Sequence, residues 1–394
     1  MKQNKLFTPA TLVLILALSA ACAAQPALPP TQTSVPSSTA TTAPTSAATT
    51  APTSTATSVP TATHTATPQP TASPASVAAV PGLLTGVNLA GADFGPVDRR
   101  PGVYGQDYFY PTHVEVDYFM GKGMTIFRLP FSWENLQHSQ FGEFDPAELA
   151  RLDDIIGYAT GRGARVLLDP HNYARYYNKI VGADVPAAAL ADLWTRLATH
   201  FKDNPRLIFG LMNEPNTMPT ELWLADANAA IQAIRQTGAT NLILVPGNAW
   251  TGAASWDQNW YGTPNAQVML GVVDPGHNYA FDVHQYLDQD SSGTHEECVS
   301  RTIGSERLAT ITAWLHQHAQ RAFLGEFAGA RNDTCYAALD DMLTFIDHNA
   351  GVWLGWTYWA AGPRWGEYLF TLEPANGADR PQMAVLLKHI PPAL

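Results

Sequence analysis

RLIFGLMNEP, residues 206–215, decides how the rest of the chain is read. Its apolar run has the length of a buried strand. It then meets Asn213, Glu214 and Pro215 without an intervening loop. A buried carboxylate is costly unless it is paired or used. Glu214 therefore marks a place where a core strand opens into a cleft. Seven other segments have the same form: LLTGVNLAG (83–91), MTIFRLPF (124–131), ARVLLDPHN (164–172), NLILVPGN (241–248), YAFDVHQY (279–286), RAFLGEFAG (321–329) and GVWLGWTYW (351–359).

Helical patterns separate them. FDPAELARLDDIIGYATGRG offers Asp145 as N-cap, Pro146 in the first helical position and Glu148 three residues after the cap. Leu149, Leu152, Ile155 and Ile156 form one apolar face, and Gly161 or Gly163 ends the helix. Leu190, Leu193, Trp194, Leu197 and Phe201 keep helical spacing in the next such stretch. Eight near-continuous apolar strands alternating with helices predict an α/β fold, the (β/α)8 TIM barrel. An open doubly wound sheet fits less well, because no glycine-rich phosphate loop follows the first strand.

The remainder of the chain divides by composition. Residues 6–92 hold no Asp, Glu, Lys or Arg. Residues 1–25 read as a secretory signal, with Lys2 and Lys5 before the apolar run LVLILALSA and small residues around Cys22. SAAC resembles a bacterial lipoprotein cleavage box, which would make Cys22 the lipidated membrane tether of a cell-surface protein; plain secretion is the alternative. Residues 26–78 are almost wholly Thr, Ser, Pro and Ala, a composition that cannot bury a core and predicts a disordered linker. Residues 79–394 form the predicted (β/α)8 catalytic domain.

A net charge of −12, from 22 basic and 34 acidic residues, argues against a nucleic-acid partner. Beyond Cys22 the cysteines are Cys298 and Cys335, which in an exported protein suggest one disulfide; two free buried thiols are the alternative. Bonding them would close a loop of 37 residues and contribute about 4 kcal/mol in the chain-entropy model.

Polar residues recur where these strands end: Arg128, then Asp169, His171 and Asn172, then Asn213 and Glu214, then His284 and Tyr286, then Glu326, then Trp359. In a (β/α)8 barrel such ends converge on one face. Glu214 and Glu326 would then face each other across one mouth, the arrangement used for glycoside hydrolysis. Arg128 near Glu326 would keep it ionised, while apolar surroundings and a second carboxylate would push Glu214 upward. Asn213 suits a sugar hydroxyl and Trp359 a pyranose face. His171 and His284 could also be core histidines or metal ligands. No metal is expected, because no HxH follows the first strand and no lysine bridging carboxylate is present. Asp169 is read as a loop brace, and Trp353, Trp356 and Trp365 as packing. Glu134, Asp282 and Glu367 are open between shaping the cleft and no role.

The motifs FRLPFSWENL, DPHNYARYYN, LMNEPN, VPGNAWTGA, HQYLDQDSSGTHEEC, LGEFAGA and GWTYWAAGP, in this order, make residues 82–394 resemble glycoside hydrolase family 5, especially its fungal-type endo-β-1,4-glucanases. The resemblance implies a retaining endo-β-1,4-glucanase without cofactor, with Glu214 as acid/base and Glu326 as nucleophile. It implies that Arg128, His171, Asn213, His284, Tyr286 and Trp359 line the subsite where the sugar is cleaved, and that Trp256 forms a neighbouring platform. It also places a disulfide at Cys298 and Cys335. A monomer acting on a β-glucan polysaccharide or oligosaccharide is expected, with soluble or amorphous material favoured because no carbohydrate-binding module is apparent. Mannan, xyloglucan or mixed-linkage glucan hydrolysis is the enzymatic alternative. A non-catalytic, tethered polysaccharide-binding protein is the alternative from another class.

Overall fold

The computed structural model describes residues 82–96 and 98–391. The expected signal at 1–25, the linker at 26–78 and Cys22 lie outside the described residues. Eight parallel strands close a barrel: β1 (Leu84–Leu89), β2 (Ile126–Phe131), β3 (Arg165–Pro170), β4 (Leu207–Gly210), β5 (Ile243–Pro246), β6 (Tyr279–His284), β7 (Ala322–Glu326) and β8 (Trp353–Ala361). Each pairs with the next in sequence, and β8 returns to β1 with Leu84 opposite Gly355. Every strand lies within a segment expected from the sequence, apart from β8, which runs two residues further.

The period of two in a strand explains both faces of the barrel. Outward residues such as Val87, Phe127, Leu129, Val166, Phe209, Val283 and Leu324 are buried in the main apolar core. Inward residues Leu84, Ile126, Leu167, Ile208, Leu244, Ala280 and Phe323 form a separate apolar plug at one end. One inward step further along these seven strands come Gly86, Arg128, Asp169, Gly210, Pro246, Asp282 and Gly325. That layer is charged where it is not small. The small positions leave room for the Arg128 side chain to lie inside the barrel.

Helices α1 (His113–Gly121), α2 (Pro146–Gly161), α3 (Ala187–Phe201), α4 (Thr220–Gln236), α5 (Ile303–Gln317) and α6 (Asp333–His348) lie between strands. Asp145 caps α2 as expected, accepting from the backbone N–H groups of Ala147 and Glu148. Glu148 is buried and accepts hydrogen bonds from the hydroxyls of Tyr108 and Tyr110 and from Arg151. It therefore holds the β1–α1 loop against α2. The fifth unit departs from the expected alternation. Between β5 and β6 stand only a single turn, Asn265–Val268, and two 3-10 turns, Ala249–Thr251 and Met269–Gly271. This long connection lies at the mouth of the barrel.

Cys298 and Cys335 form a disulfide, with Cα atoms 5.2 Å apart. The bond joins the loop after β6 to the first turn of α6. Among the described residues, no helix is long and apolar enough to cross a membrane.

Candidate active site

Arg128 organises the upper layer. It lies three residues before the end of β2 rather than at the end, and it is fully buried. Its guanidinium donates to Asn88 Oδ1 at 2.9 Å, Asn213 Oδ1 at 2.7 Å and Glu326 Oε1 at 2.5 Å. Asp169 Oδ2 lies 2.9 Å from its second terminal nitrogen. A buried cation is tolerated only with this density of partners. Asp169 thus does more than brace a loop: it fixes Arg128 from below and also binds His171 Nδ1 at 3.0 Å.

Glu326 closes β7 and is bound at both oxygens. Oε1 takes the Arg128 bond, and Oε2 accepts from the Tyr286 hydroxyl at 2.7 Å. Burial alone would raise this carboxyl. The charges of His284 and Arg128 and the Tyr286 hydrogen bond outweigh burial and hold it at about 2.

Glu214 follows the end of β4 by four residues, with φ of +42°, in the left-handed region that non-glycine residues seldom occupy. The turn is pinned on both sides: the Asn216 side chain donates to the Glu214 carbonyl at 3.0 Å, and Trp250 N–H donates to the Pro215 carbonyl at 3.1 Å. The carboxylate reaches His284 Nδ1 at 2.7 Å. Burial raises its pKa, His284 opposes that rise, and the negative charge of Glu326 reinforces it. One oxygen of Glu214, one of Glu326 and a ring nitrogen of His284 lie within 4.8 Å of one another. A cation could fit such a trio by distance alone. Arg128 already occupies Glu326, however, and His284 Nδ1 is committed to Glu214.

His171, Asn213 and Trp359 form a connected group beside Arg128. The Asn213 amide donates to His171 Nε2 at 3.1 Å, which leaves His171 Nδ1 as the donor to Asp169. Asn213 keeps a second amide hydrogen for substrate. The Trp359 ring stacks on His171 at 5.4 Å and 20°, and the Trp359–Ala360 peptide is cis. Trp353 and Trp356 are fully buried packing residues, as expected. Trp365 is half-buried and sets its edge against Trp359 at 5.8 Å. Glu134 is buried and accepts from Asn172 and from Tyr177 N–H, shaping the loop after β3. Glu367 lies apart on the surface, paired with Arg331 and Arg380.

Tyr173, Glu214, Trp250, Trp260, His284 and Tyr286 line a cleft of about 760 Å³. Trp256 is not among its walls, which corrects the expected platform. It has no exposed surface and packs against Phe281 at 5.3 Å and Trp314 at 5.5 Å. Trp250 and Trp260 line the cleft instead, 39% and 58% exposed, with rings 6.1 Å apart. Their loop has no apolar periodicity, so the sequence offers no signal for which tryptophan turns inward. Asn88, a polar residue inside the first apolar strand, accepts from Arg128, and Tyr173 lines the cleft, and no pattern in the sequence marks either.

The arrangement supplies one carboxyl biased toward its protonated form and one held ionised, at one end of an aromatic cleft. Known proteins match the chain in sequence and fold. The sequence profile of the cellulase family, glycosyl hydrolase family 5, matches residues 83–362. Endo-β-1,4-glucanase B of Aspergillus niger is 41% identical over 305 residues, covering 77% of this chain and 88% of its own length. A crystal structure of an endo-β-1,4-glucanase triple variant from Xanthomonas axonopodis pv. citri superposes with a TM-score of 0.77 at 50% identity, covering 78% of this chain and 99% of that one. XacCel5A in complex with cellopentaose superposes with a TM-score of 0.76 at 50% identity, over 78% and 99% of the two chains. With a family match across most of the barrel and relatives of this similarity along nearly their whole lengths, the chain belongs to the cellulase family, glycosyl hydrolase family 5, and is a glycoside hydrolase.

Proposed function

We propose that the protein is a secreted, retaining endo-β-1,4-glucanase. The observation that carries this reading is the proximity of Glu214 and Glu326, with oxygens within 4.8 Å and opposed protonation preferences. Retaining enzymes place the two carboxyl groups about 5–5.5 Å apart, and inverting ones about 6.5–9.5 Å. Glu326, aimed by Arg128 and Tyr286, attacks the anomeric carbon. Glu214 gives its proton to the departing glycosidic oxygen. The second half reverses these roles: Glu214, now a carboxylate, takes a proton from water, whose oxygen displaces Glu326 from the sugar. Trp359 stacks beneath the sugar being cleaved, and Trp250 and Trp260 carry the chain on the other side of the bond.

The relatives named endo-β-1,4-glucanase, and the cellopentaose bound by XacCel5A, support β-1,4-glucan as the substrate class. An open cleft supports attack within a polymer. Secretion rests on the basic and apolar N-terminus, and a Cys22→Ala variant that still incorporated palmitate would remove the lipid tether. The deciding experiment follows the first-formed product by proton NMR and compares release from carboxymethylcellulose with release from glucomannan. The β-anomer should appear first and carboxymethylcellulose should be cut faster. An initial α-anomer would refute retention, and preference for glucomannan would refute the substrate assignment.

A further inference from the structure

Beneath His284, on the same strand, lies a buried carboxylate with no part in the steps above. We propose that Asp282 is a positioning residue for the acid/base: it keeps a proton on His284 Nε2, so that Nδ1 faces Glu214 and the two share a single labile proton. This rests on the reading of Glu214 as acid/base.

Asp282 and His284 are successive inward residues of β6, and both are buried. Asp282 Oδ2 lies 3.8 Å from His284 Nε2. Among the described residues, neither Asp282 Oδ1 nor His284 Nε2 has a hydrogen-bond partner. Two buried polar atoms left unpaired in the same place would be costly. A proton on Nε2 makes their approach favourable. Gly325 on β7 permits it, since a Cβ there would sit 2.2 Å from Asp282 Oδ1 and 3.0 Å from His284 Nε2. Thr251, from the turn after β5, fixes the strand by donating to the Asp282 carbonyl at 2.5 Å.

The charges around the imidazole point the same way. Arg128, from β2, is shared between Asp169 and Glu326 and is not free to serve Asp282 alone. Glu326, from β7, lies 3.6 Å from His284 Nδ1, and Glu214, from the turn after β4, lies 2.7 Å from it. His171, after β3, adds a second imidazole acting on both glutamates, and Tyr286 adds a phenol bound to Glu326. Three carboxylates thus face one imidazole. Burial would lower His284, but Glu326, Asp282 and Glu214 outweigh it and raise it to about 10.

The proton count closes over a turnover. The shared proton leaves with the glycosidic oxygen and leaves Glu214 ionised beside the neutral Nδ1. That pair is a strong base, and it recovers a proton from the attacking water. Asp282 increases the affinity of the pair for this proton throughout.

The test is the alkaline limb of the pH–rate profile on a glucan in Asp282→Asn, which removes the charge at nearly constant volume. The limb should move to lower pH by about one to three units. The loss above neutral pH should be larger on the polysaccharide than on an aryl cellobioside whose leaving group needs no proton. A limb in its wild-type position, or equal losses on both substrates, would overturn the proposal. Should the variant not fold, nitrogen-15 spectra of histidine-labelled wild-type enzyme, assigned with His284→Asn, decide independently. Nε2 should stay protonated from about pH 5 to 9, and a bare Nε2 near neutrality would overturn the idea. A wild-type enzyme inactive on glucans would instead refute the proposed function and leave this spectroscopic result intact.

Discussion

The two ends of the barrel interior are built on the same strands and obey opposite rules. The plug of Leu84, Ile126, Leu167, Ile208, Leu244, Ala280 and Phe323 is entirely apolar. One inward step along, Arg128, Asp169 and Asp282 are as thoroughly buried, yet they carry charge among three glycines and a proline. The plug gains free energy from removing carbon from water and from close packing. The charged layer gains little of that, because buried ions give up hydration that their partners only restore. It places charge where a reaction needs it. The comparison predicts that the two layers can be broken separately.

The largest expected effect lies in the upper layer. Glu326→Gln should lower kcat/KM on β-glucan by about 10⁴-fold or more, and should also lower the urea midpoint, because buried Arg128 loses one of its two carboxylates. A lowered midpoint with kcat/KM retained would mean that Glu326 serves chiefly to neutralise Arg128. Glu214→Gln should cost about 10²- to 10⁴-fold on the polymer and markedly less on an aryl glycoside with an activated leaving group. Similar small losses for both variants would dissolve the division of roles between the carboxylates.

The lower layer should respond in the opposite sense. Ile208→Ala should destabilise by about 2–5 kcal/mol in urea titration and leave kcat/KM of the folded enzyme near the wild-type value. A pH series sharpens the contrast further. Glu326 is depressed below its ordinary 4.5, so its stabilising share is complete above pH 4.5 and is lost as pH falls toward about 2. His284 is raised from 6.5, so its share is complete below pH 6.5 and is lost as pH rises through about 10. Thermal scans should therefore show a plateau between these limits, and Ile208→Ala should lower that plateau without changing its edges. The smallest effect belongs to the cleft rim: Trp250→Ala should raise KM on cello-oligosaccharides by about 2- to 10-fold, whereas Trp256→Phe should act on stability instead.

Most of this contrast is legible in the sequence, because strands declare themselves by unbroken apolar runs and because a carboxylate at the end of such a run has few other uses. Glu214 and Glu326 stand out for that reason, and so does Arg128 within IFRLPF. Asp282 can be placed inside the barrel by alternation with His284, but its spacing from Nε2 depends on Gly325 of a different strand. The missing helix between β5 and β6 and the exchange of Trp256 for Trp250 share one cause. That connection is held by particular contacts, such as Trp250 N–H to the Pro215 carbonyl, rather than by a repeating pattern. Glu148 satisfies the capping sequence but turns to Tyr108 and Tyr110, because two buried phenols offered it stronger partners than a helix terminus.

The Cys298–Cys335 bond has a practical consequence for anyone producing the protein. It anchors the far end of the loop that carries Tyr286, the residue bound to Glu326, to a neighbouring helix. A host cytosol that keeps thiols reduced would deliver a chain with the correct barrel and a loosened grip on Glu326. Enzyme recovered from an oxidising compartment should outlast that material on prolonged heating, although the two would share every amino acid.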